Sequence, residues 1–106
     1  MGEIRSKQYL GIKERHGKFI SAVEALGQVT KQEGPLDEKT GHLVQLAAAA
    51  AIRSEGAVHS HARRALEAGA QADEIRHTLI LLTSTIGFPT VVAALTWADD
   101  VIEGKK

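Results

Sequence analysis

With 106 residues, the chain is long enough to bury one hydrophobic core and too short for two, so a single domain over residues 1–106 is expected. Thirteen Lys and Arg balance thirteen Asp and Glu, which removes the basic surplus that phosphate-backbone binding needs and argues against nucleic acid as a partner. Cysteine is absent, and with it go disulfides, thiolate metal sites and every peroxidase cycle that runs on a thiol.

The N-terminal stretch MGEIRSKQYLGIKER has no apolar core between its charges, so it does not read as a secretory signal, and the longest apolar run is too short to cross a bilayer. A soluble cytoplasmic protein without membrane partners is expected. Two prolines, few aromatics and abundant Ala and Leu favour helices over strands, and the fold class is all-α with about five or six helices. Residues 1–5 are expected to be frayed. Apolar residues at Ile12, Phe19, Ile20, Val23, Leu26 and Val29 recur at helical spacing, and Gly11, Gly17 and Gly27 mark where this segment can break in two.

EGPLD at 33–37 reads as a loop into a helix over about 38–53, with Asp37 capping its first amides and Glu38 at its positive end. Within that helix LVQLAAAAAI has Gln45 as its only polar residue, so it needs cover on every side. Neighbouring helices of another subunit would supply it, and a homo-oligomer is expected. After a short connection at 54–56, the next helix places Val58, Ala62, Ala65 and Leu66 on one face and Arg63, Arg64 and Glu67 on another. Gly69 ends it as a left-handed cap. Asp73 and Glu74 open a helix that buries Ile75, Leu79, Leu82 and Ile86, and Gly87-Phe88-Pro89 separates it from a last amphipathic helix through Val101.

The stretch SEGAVHSHARRALEAGA at 54–70, with LDEKTGHLVQLA before it and TIGFPTVVAAL after it, resembles the carboxymuconolactone decarboxylase and alkylhydroperoxidase D superfamily over about residues 36–102. The resemblance implies an all-helical alkylhydroperoxidase D-like fold, assembled as trimers or hexamers with sites near subunit contacts. The peroxidase branch carries C-x-x-C-x-x-x-H, which falls here on Ser54, Ala57 and His61: both cysteines are gone and the histidine stays. A family glutamate twelve residues before the first cysteine falls at His42. Neither Ser54 nor Ala57 can act as a redox nucleophile, because a serine alkoxide is far too basic and alanine has no heteroatom.

The decarboxylase branch, which does without the cysteine pair, is the nearer chemical model. It implies that His61 is a general acid or base, with Glu55 orienting it or positioning a proton, on a small carboxylated or lactone-like substrate. Glu55 also fits a plain helix-start charge, and His61 a hydrogen-bonded core histidine. His42 replaces the relay carboxylate by a second imidazole, and two imidazoles close together disfavour double protonation. Ser54 and His77 are the remaining polar candidates for binding substrate, Ser54 having helix capping as its other reading. His42, His61 and His77 could in principle share a divalent metal. No carboxylate or histidine stands at a recognised ligand spacing, so neither a metal nor any other cofactor is assigned. His59, two residues from His61, projects about 200° away on a helix and reads as solvent-facing or inter-subunit. Arg53, Arg63 and Arg64 read as a solvated face or as holders of a carboxylate, and Phe88 and Trp97 as packing anchors. Two function classes follow: a proton-transfer enzyme of lyase type, and a helical binding or structural module that has kept the fold without catalysis.

Overall fold

The computed structural model describes residues 7–104. The expected fraying of residues 1–5 lies outside them. Among the described residues all regular structure is helical, in six helices of nine residues or more and one single turn. The chain divides into two compact units, Met1–Leu36 and Asp37–Lys106.

The first unit holds α1 (Lys7–Arg15) and α2 (Gly17–Gln32). The break falls at His16, whose φ of −134° and ψ of 58° leave the helical region, immediately before Gly17. Gly11 and Gly27 lie inside helices instead. Tyr9 donates its hydroxyl to Glu24, and Lys13 reaches the same carboxylate at 3.4 Å, tying α1 to α2. Ile20 is buried, whereas Phe19, Val23, Leu26 and Val29 stand exposed.

The second unit holds α3 (Glu38–Ala51), α4 (Glu55–Glu67), α5 (Ala72–Ile80), the single turn α6 (Thr83–Ile86) and α7 (Phe88–Ile102). Asp37 opens α3 by accepting from the Thr40 amide at 2.8 Å. The bond holds its carboxyl below the usual aspartate value. The turn into α4 is built from local hydrogen bonds. Ser54 N–H donates to Ala49 C=O and Arg53 N–H to Ala50 C=O, both at 3.0 Å, and Arg53 takes the left-handed φ of 57° at the position where glycine is usual. Its guanidinium reaches the Thr90 hydroxyl at 2.8 Å. The same motif closes α4, this time with Gly69 at φ 102° and the Ala70 amide donating to Ala65 C=O at 2.9 Å. At the start of α5, Glu74 accepts from the Gln71 amide at 2.8 Å and from Lys39 at 3.0 Å, and both hold its carboxyl below the usual value.

The expected long helix from Asp73 to Ile86 is two pieces. α5 ends at Ile80, Thr83 donates its hydroxyl to Ile80 C=O at 2.8 Å, and the chain restarts as α6. Gly87, at φ 93° and ψ 149°, then occupies backbone space closed to residues with a Cβ, which turns the chain into α7.

α4 lies between its neighbours, packing on α3 and on α7, while α5 packs on α3 and α7. The core of this unit consists of Leu46, Ala49, Ala50, Val58, Ala62, Ala65, Ala70, Ile75, Leu79, Ala94 and Ala98, with Trp97 packed at its edge. More than half of these are alanine, so backbones rather than long side chains meet at the helix contacts. Cover of α3 is incomplete: Val44 and Ala48 are exposed, and Phe88 is 65% exposed rather than an anchor of the core.

Candidate functional site

His42, on the second turn of α3, and His61, at the middle of α4, face each other across the α3–α4 contact. Their Nδ1 atoms are 3.3 Å apart, with ring centroids 5.5 Å apart and planes tilted by 35°. His42 is 2% exposed and belongs with the core, whereas His61 is partly accessible. The contact imposes a proton rule. A hydrogen bond at this contact needs one Nδ1 to carry hydrogen and the other to present its lone pair, which calls for opposite tautomers in the two rings. A proton added at the outer Nε2 of the donating ring strengthens that bond. A further proton, on the accepting Nδ1, would place two N–H groups head to head.

Ser54 caps α4, its Oγ accepting from the Ala57 amide at 3.4 Å. That bond uses an oxygen lone pair and leaves the hydroxyl proton for another acceptor. His77 is on α5 and exposed. Glu55, the first residue of α4, is set beside His59: its Oε2 lies 3.8 Å from His59 Nε2, and Asp100 Oδ2 of α7 lies 3.2 Å from the same nitrogen. The structure therefore brings together His42 with His61, and separately Glu55 with His59 and Asp100. The second group is the one that reading the sequence missed. The i,i+4 spacing of Glu55 and His59 puts them on one helical face and is legible in the chain, whereas Asp100 joins only through the docking of α7 on α4.

An open groove of about 270 Å³ runs between α3 and α5, lined by Thr40, Leu43, Val44, Ala47, Thr78, Leu81 and Leu82. It is apolar and offers no titratable side chain. No helix among the described residues is long and apolar enough to cross a membrane.

In fold the chain is similar to a crystal structure of a carboxymuconolactone decarboxylase family protein from Legionella pneumophila in its apo form. The TM-score is 0.78 at 23% identity, covering 93% of this chain and 88% of that one. That likeness concerns the fold. No curated protein matches the sequence. The sequence model of the carboxymuconolactone decarboxylase family matches residues 18–100, which carries the resemblance beyond the expected start near residue 36 and back into α2. The matched segment covers most of the chain and the fold is all-helical: the chain belongs to the carboxymuconolactone decarboxylase family.

Proposed function

We propose that this protein is a proton-transfer enzyme of lyase type, acting on a small carboxylated or lactone-like metabolite through the His42–His61 pair. The observation that carries the reading is the 3.3 Å Nδ1 to Nδ1 contact between a buried and an accessible imidazole. His61 is the catalytic group and His42 the residue that fixes its tautomer and exchanges protons with it. When a substrate carboxylate leaves as carbon dioxide, the electron pair of the broken C–C bond stays on carbon and must receive a proton. His61 in its imidazolium form supplies that proton, and the neutral pair that remains is recharged from solvent. Ser54, through its hydroxyl proton, and His77 are candidate substrate contacts. Glu55, engaged with His59, has a supporting place. Thiol peroxidase chemistry is outside this proposal, since the chain has no sulfur nucleophile.

The same reading places the protein in the cytoplasm as a homo-oligomer, a trimer or hexamer, because Val44, Ile52, Leu81 and Phe88 leave apolar surface uncovered on the second unit. The test is carbon dioxide release and solvent deuterium incorporation across a panel of carboxylated lactones. Loss of His61 by substitution with Gln is expected to reduce kcat on the order of 100-fold or more for any substrate found. Turnover unchanged in both His61→Gln and His42→Gln refutes the assignment, as does hydroperoxide consumption sustained by dithiols and dependent on His61.

A further inference from the structure

Helix α4 carries a second chemical constellation, apart from the His42–His61 pair. Glu55 and His59 are one turn apart on the same face, and Asp100 reaches them from the last turns of α7. One ligand atom from each of the three lies within 4.8 Å of the other two. His59, two residues before His61, projects about 200° away from it, so the two constellations occupy opposite sides of the helix.

We propose that Glu55, His59 and Asp100 form a binding site for a divalent d-block cation of the zinc class, with water completing its coordination. Zinc holds nitrogen and oxygen ligands at about 2.0–2.1 Å, which sets neighbouring ligand atoms of a tetrahedral site about 3.3 Å apart. Here His59 Nε2 stands 3.2 Å from Asp100 Oδ2 and 3.8 Å from Glu55 Oε2, so one edge is already at that spacing and the other closes with a small rotation of Glu55. Glu55 stands at the solvent edge with its side chain 46% exposed, while His59 and Asp100 at 18% and 20% are held by the α4–α7 packing.

The donor set selects the class of ion. Two carboxylates beside one neutral imidazole supply two negative charges, which a divalent cation balances. The imidazole nitrogen favours zinc and its neighbours over magnesium and calcium, which take all-oxygen shells. Three protein ligands leave a position open toward solvent, as at zinc sites that bind water or an anionic group. None of this rests on the role of the His42–His61 pair.

The experiment is calorimetric titration of the chelator-stripped full chain with zinc chloride. It is repeated with cobalt(II), whose d–d absorption reports the ligand set, and followed by NMR at the His59 ring. One saturable ion per chain is expected, with the His59 signal perturbed, and affinity falling on the order of 100-fold in His59→Gln and in Asp100→Asn. Retention of zinc binding in His61→Gln separates this site from the other histidine pair. Circular dichroism checks that each variant folds, and Glu55→Gln, altered at an exposed position, repeats the test should a more buried variant unfold. Absence of saturable binding overturns the proposal and leaves His59 as an ionic bridge between two carboxylates. So does binding that survives His59→Gln and Glu55→Gln, or an unperturbed His59 ring at saturating zinc.

Discussion

Replacing His42 with Gln should convert a two-step protonation into a single step at His61. The rings are 5.5 Å apart between centroids, and each imidazolium spreads its charge over its ring. At an effective dielectric of about 20, two unit charges at that separation repel by roughly 3 kcal/mol. A penalty of that size means the second proton binds roughly 100-fold more weakly than the first, and loss of the Nδ1 hydrogen bond adds to it. Glutamine keeps a polar group on the buried turn of α3 while removing the second charge. The assay is a histidine ring NMR titration of the parent, His42→Gln and His61→Gln, the variants assigning the signals among the five histidines of the chain. In the parent, both rings should respond to the first step and then again to a second step about two pH units lower. In each variant the surviving ring should follow one simple curve. If His61 titrates identically in the parent and in folded His42→Gln, the two imidazoles are not coupled and the proton rule drawn from their contact is wrong.

Leu46→Ala removes a fully buried side chain from α3 and is expected to lower stability by about 2–5 kcal/mol, read from urea unfolding with an unchanged slope. The two turns around α4 should respond in opposite directions: Gly69→Ala should destabilise by about 1 kcal/mol or more, whereas Arg53→Gly, at the same left-handed backbone, should lose little or gain because relief of φ strain offsets the exposed Thr90 hydrogen bond. Equal destabilisation by both substitutions contradicts the turn assignment. Asp37 and Glu74 both have folded values below their unfolded ones. Their contribution is thus complete above the unfolded carboxylate range of about pH 4 and is lost as pH falls through the folded values, a dependence that Asp37→Asn should flatten in acid unfolding curves. Light scattering at micromolar concentration should give a multiple of the 11.4 kDa chain mass; a monomer with cooperative unfolding intact refutes the homo-oligomer.

Several helix ends are legible because they depend on single residues and their immediate neighbours. Asp37, Ser54 and Gly69 announce the start of α3, the start of α4 and the end of α4, and each acts through a bond within a few residues along the chain. The break between α5 and α6 is hidden, since Ile75, Leu79, Leu82 and Ile86 keep the helical period across it. What ends the helix is a threonine hydroxyl taking over one carbonyl, and hydroxyl-bearing residues also occur inside helices. On α2 the period shows an apolar stripe without saying what covers it, and Phe19, Val23, Leu26 and Val29 are exposed. The His42–His61 contact is legible only through the family frame, for nineteen residues separate the two and neither spacing nor period joins them. Asp100 was out of reach altogether, because its place beside His59 depends on how α7 docks.

The connection between α3 and α4 is only three residues, Ile52 to Ser54, and each of them donates a backbone hydrogen bond back into α3. These two helices are neighbours in the chain and also form the most extensive helix contact of the second unit. Contacts close in sequence require little loop closure, and helical chains dominated by them fold in microseconds to milliseconds. The same helix pair that contributes Leu46 and Val58 to the core also brings His42 to His61. A substitution that weakens this hairpin is therefore expected to slow folding and to loosen the imidazole contact together.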